Sequence, residues 1–72
     1  MIVVSNPDGK NPNQCHQYLL DNGIIPASFE HNRQYVPGPV EQILTEATEF
    51  YITFNPQDET ATTILVNQFM AL

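Results

Sequence analysis

The sequence predicts one small α/β or α+β domain over residues 1–72, built from three short strands and two to three helices in the order β-α-β-α-β-α. Three observations lead there. The tetrapeptides NPNQ from Asn11, GPVE from Gly38 and NPQD from Asn55 each place a good N-cap residue first and proline at the first helical position, where no N–H is needed. Between these helix starts lie short runs of β-branched and aromatic residues bounded by Asn-Pro. The hydrophobic content of 42% is that of an ordinary globular chain, enough for a core.

The first strand is Ile2 to Ser5, closed by a turn in SNPDGK, where Asp8-Gly9 stops any helix. The first helix follows Asn11, with Cys15, Tyr18, Leu19 and Leu20 as its apolar side. Asn22-Gly23 supplies a left-handed stop, and Ile24 packs back on the last turn. A strand is expected around Phe29 to Val36, ending in the VPGP turn. A second helix starts at Gly38, turning Val40, Ile43, Leu44 and Ala47 inward and Glu41, Gln42, Thr45, Glu46 and Glu49 outward. The third strand, Phe50 to Phe54, alternates Phe50, Ile52 and Phe54 against Tyr51 and Thr53. After Asn55, Ala61, Ile64, Leu65, Phe69 and Leu72 suit a third helix. The β-branched TATTIL makes a hairpin strand the alternative.

A strand, a proline-containing loop and a helix ending YLLDNGI resemble the opening of glutaredoxin-like proteins over roughly the first third of the chain. The resemblance implies a βαβ opening. It implies no redox activity, because the positions matching that family's redox cysteines are Gly9 and Pro12.

Eight acids oppose two bases, a formal net charge of −6, and from Gln34 to Leu72 there is no Lys or Arg. Direct binding to nucleic acid needs clustered cations for the phosphates and is disfavoured on this count. Attraction to a basic protein surface is allowed, and the plainer reading is that the acids keep a small domain soluble. The opening MIVV is too short and too uncharged for a signal peptide, and no apolar run approaches the roughly 20 residues of a membrane span. A cytoplasmic location is expected.

Cys15, the only cysteine of the chain, stands directly beside His16. On a helix, neighbours point about 100° apart, so they cannot act on each other as nucleophile and base. Cys15 sits on the apolar side, where a buried, unreactive thiol is the ordinary outcome. A tertiary pairing of Cys15 with His31 is the alternative. One Cys and two His without a close-spaced pair make no zinc site, and PDGKNP has too few glycines to cradle a phosphate. No metal and no cofactor is expected.

Two surfaces remain as binding candidates. One is acidic: Glu41, Glu46, Glu49, Asp58 and Glu59. The other is the FEHNRQY stripe, whose two-residue period puts Phe29, His31, Arg33 and Tyr35 on one face of a strand. The expectation is a non-enzymatic protein-binding module, a small acidic inhibitor or adaptor of the kind phages and mobile elements encode, engaging a basic surface of its partner. In its sharper form it mimics nucleic acid. The alternatives are a thiol-dependent redox or other enzyme using Cys15, or a structural subunit of a larger assembly. A chain this short buries only roughly 60% of its unfolded surface, and with one cysteine and no intramolecular disulfide, a homodimer is also expected.

Overall fold

The computed structural model describes residues 1–32 and 47–72 in full, and 34–35 and 45–46 at the level of backbone pairing. The elements are β1 (Ile2–Ser5), α1 (Pro12–Asp21), β2 (Ser28–His31), β3 (Gln34–Tyr35), β4 (Thr45–Glu46), β5 (Glu49–Thr53), a 3₁₀ turn (Pro56–Asp58) and α2 (Glu59–Met70). It is a mixed α+β fold.

α1 forms where its caps are written. The Asn11 side chain accepts from the backbone N–H groups of Asn13 and Gln14, and Pro12 occupies the first turn. At the other end Gly23, at φ 81°, donates to the Leu20 carbonyl, while Ile24 donates to that of Leu19 at 2.9 Å. This is the left-handed stop that Asn-Gly-Ile predicts, with Ile24 buried against the helix it ends. Cys15 and Leu19 are its buried residues, whereas Leu20 stays 39% exposed.

The main sheet has the order β1-β5-β2, with β5 antiparallel to both neighbours. β1 and β2 are therefore parallel to each other across one intervening strand. The βαβ opening is a split one, with the C-terminal strand filling the gap. Ile2 stands opposite Ile52 and Ile52 opposite Phe29; Val4 stands opposite Phe50 and Phe50 opposite His31. These rows face the helices, and Phe50 and Ile52 are fully buried there with Cys15, Leu19, Ile24, Ala47, Val66 and Phe69.

The segment before β5 departs from expectation. The predicted helix from Gly38 lies outside the described residues over 39–44, and its remainder is extended: Thr45–Glu46 pairs with Gln34–Tyr35, and Glu49 begins β5. Between the pairs His31–Phe50 and Gln34–Glu46 the ladder is broken, and β3 and β4 form a two-stranded sheet of their own beyond an irregular link at Ala47 and Thr48. Two asparagines hold it. Asn32 Oδ1 accepts from the backbone N–H groups of Thr48 and Glu49, at 3.0 and 2.9 Å, and its Nδ2 donates to Thr48 Oγ1 at 2.6 Å. Asn6, 2% exposed, donates from Nδ2 to the Ala47 carbonyl at 2.7 Å. Amide groups that a helix would have bonded internally are thus bonded by side chains of other segments. Ala47 is buried as predicted, but in an irregular link between strands.

α2 confirms the helical reading of the C-terminal segment over the hairpin strand, with its phase rotated. Thr62, Val66 and Phe69 are buried, while Ala61 is exposed, Ile64 is 51% exposed and Leu72 79%. The stripe that wins, 62, 65, 66, 69 and 70, carries four apolar residues. The stripe through Ala61 and Ile64 would have turned Gln68 inward. The consequence is a buried hydroxyl: Thr62 Oγ1 has no hydrogen-bond partner. An unpaired buried hydroxyl costs about 1–3 kcal/mol, so Thr62→Val is expected to raise unfolding stability by about 1 kcal/mol. Urea titration checks this, and a loss of stability in the variant would contradict it.

Candidate protein-binding face

Because the core rows of β1, β5 and β2 all turn toward α1 and α2, the alternating residues form the opposite face of the sheet. They are Val3 and Ser5 from β1, Glu49, Tyr51 and Thr53 from β5, and Ser28 and Glu30 from β2. No described helix lies on this side. Val3 is 56% exposed, an apolar residue in the open.

Tyr51 is the centre of the face. It stands directly opposite Val3 on one side and Glu30 on the other, and Glu49 lies two positions along the same strand, about 7 Å away. Its phenol is pushed up from its ordinary range by desolvation first, then by the negative charge of Glu49 beside it. The face thus offers an aromatic ring flanked by two carboxylates. The described cation is elsewhere. Lys10 donates from Nζ to the Leu72 carbonyl at 2.6 Å and lies over the Phe69 ring on the helix side.

Of the acids named from the sequence, the three that are described do not converge. Glu49 opens β5, whereas Asp58 and Glu59 stand where α2 begins, beyond the far end of that strand. Four residues of strand alone separate them by about 13 Å. Glu41 and the side chain of Glu46 lie outside the described residues, although the Glu46 backbone continues the arm that leads into Glu49. Glu30 and Tyr51 are the members that sequence reading missed. The alternation in FEHN and FYIT already put each opposite the core, but only the β2–β5 register makes them neighbours.

The alternative stripe divides. Phe29 and His31 share a face, but it is the core face: Phe29 stacks on His16 at 4.9 Å with rings within 2° of parallel, and packs on Phe50 at 5.7 Å. The strand breaks at Asn32, Tyr35 belongs to the separate β3–β4 pair, and Arg33 lies outside the described residues.

Cys15 is fully buried, and burial pushes its thiol up to about 11. Such a thiol is protonated at neutral pH, the reverse of what a nucleophile or redox cysteine needs. Among the described residues there is no cluster of three metal-ligating side chains, and no helix is long and apolar enough to cross a membrane. No protein-family model, curated protein or solved structure matches the chain.

Proposed function

We propose that this chain is a non-enzymatic protein-binding module that engages a basic surface of its partner through the open face of its sheet. The observation that supports this reading is the placement of Glu30, Tyr51 and Glu49 together on a face that no described helix covers, in a chain of net charge −6 whose described cation is on the other side. The chemistry favours arginine. A guanidinium stacks on an aromatic ring while its fork bonds carboxylates on either side, which a lysine ammonium does not do. Asp58 and Glu59 add to the long-range field that steers encounter but stand apart from the contact.

The test uses an arginine-rich peptide and a lysine-rich peptide of equal length and charge. The arginine peptide is expected to bind more tightly, and Glu30→Gln with Glu49→Gln to weaken it about tenfold or more, since two charge-assisted bonds of roughly 1.5–3 kcal/mol each are lost. Asp58→Asn with Glu59→Gln should change it by less than about threefold, as expected for exposed, screened charges. Equal affinity for the two peptides, with equal effects of the two double variants, would reduce the interaction to net charge and defeat the proposal.

A further inference from the structure

We propose that a second copy of this chain docks on the free edge of β1, joining two three-stranded sheets into one of six strands. β1 is an edge strand in the order β1-β5-β2. Its hydrogen-bonding direction can be read from its neighbour. The backbone N–H of Asn6 donates to the Thr48 carbonyl of the β5 side at 2.8 Å, continuing the ladder in which Ile2 faces Ile52 and Val4 faces Phe50. In an antiparallel ladder the direction alternates residue by residue. Ile2, Val4 and Asn6 therefore point their backbone groups at β5, while Val3 and Ser5 point theirs outward. Next in the outward series is Pro7, which has no N–H and ends the edge.

Over Ile2–Ser5 the edge carries no protecting side chain, and no described element covers it. IVVS carries no charge, no proline and no bulge, and three of its four residues are β-branched and apolar. Beside it, between β1 and α2, runs a cleft of about 400 Å³ lined by Ile2, Val4, Thr63, Val66, Asn67 and Met70. The charge pattern selects the occupant. In a chain of net charge −6, neither the edge nor the cleft wall carries an acid or a base. Two copies meet here without opposing like charges, and a basic partner finds no carboxylate.

The register follows from the pleat. A two-fold axis perpendicular to the sheet sets Val3 opposite its own copy and Ile2 opposite Val4 of the other chain. Met1 then faces Ser5. All the outward-pointing backbone groups pair, the β-branched side chains meet across the strands, and Ile2 and Val4 of each copy enter the cleft of the other. Both open faces end on the same side of the joined sheet, so this pairing leaves Glu30, Tyr51 and Glu49 free and does not depend on what they bind.

Sedimentation equilibrium of the full chain tests it, with two variants. Val3→Pro removes the outward N–H and leaves the ladder to β5 intact, as proline does on the solvent side of an edge strand. Val3→Lys puts two like charges opposite each other across the axis. The wild type is expected at twice the 8.1 kDa chain mass at about 100 µM, the micromolar range for such an edge. Higher salt should strengthen it by screening the net repulsion. Both variants should sediment as folded monomers. Should Val3→Pro unfold, Val3→Lys decides alone, since its side chain is already solvent-facing. A wild type that is monomeric at about 100 µM, or a Val3→Lys variant that dimerises as well as the wild type, overturns the proposal.

Discussion

Asn6→Ala is expected to destabilise the fold by about 3 kcal/mol, because it leaves three backbone groups, one buried and two part-buried, without their partner. The Asn6 side chain gives Nδ2 to both the Lys10 carbonyl at 2.8 Å and the Ala47 carbonyl at 2.7 Å, and takes the Lys10 N–H on Oδ1 at 3.0 Å. It closes the turn after β1 and fastens that turn to the link before β5, 41 residues away in sequence. Alanine does neither. For a domain of 60–100 residues each kcal/mol moves the melting temperature by about 4–8 °C, so a fall of more than about 10 °C should be seen. Asn6→Asp keeps the acceptor and loses the donor, placing a buried carboxylate against two carbonyls. It should be at least as damaging. A loss below about 1 kcal/mol in Asn6→Ala would mean that the link before β5 holds without its clamp.

The second large effect is alkaline destabilisation through Cys15. The folded thiol is raised to about 11 from 9.0, so between these values the unfolded chain gives up its proton while the folded chain keeps it. The unfolded state then binds fewer protons, and stability falls as pH rises. The contribution is intact below pH 9, is lost across pH 9 to 11, and amounts to about 2–3 kcal/mol once both forms have ionised. Tyr51, also raised, acts in the same direction. Unfolding titrations at several pH values should therefore show a steeper alkaline loss in the wild type than in Cys15→Ala. Thiol labelling at neutral pH should proceed no faster than global unfolding. Equal alkaline slopes, or rapid labelling of the native protein, would contradict the burial and revive a reactive cysteine.

What the sequence made legible is what is coded locally. Asn11-Pro12 and Asn22-Gly23-Ile24 state both ends of α1 because capping involves residues within a turn of each other. The alternation of Phe50 and Ile52 against Tyr51 states the two faces of β5, since period two is a property of the strand itself. The failures lie where partners are distant. Residues 45–49 have helical spacing, yet they form no helix: Thr45–Glu46 pair with Gln34–Tyr35, and Asn32 and Asn6 take backbone groups of residues 47–49, which neither asparagine announces. The phase of α2 was decided by which stripe buries more apolar area, with Thr62 admitted as the consequence. The candidate face shows the same limit. Glu49 could be named from sequence as an acid, but joining it to Glu30 and Tyr51 required knowing that β5 returns to lie between β1 and β2. Charge counted along the chain grouped Glu49 with Asp58 and Glu59; the sheet separates them.

The most direct measurement is therefore positional. With the backbone amides assigned by NMR, the arginine-rich peptide is titrated into the full chain at moderate salt, where screening suppresses long-range attraction over more than about 8–10 Å. The binding account predicts shifts centred on Val3, Glu30, Glu49 and Tyr51, with α1 and the start of α2 nearly silent. Shifts centred on Asp58 and Glu59, or spread evenly over every acidic residue, would contradict it.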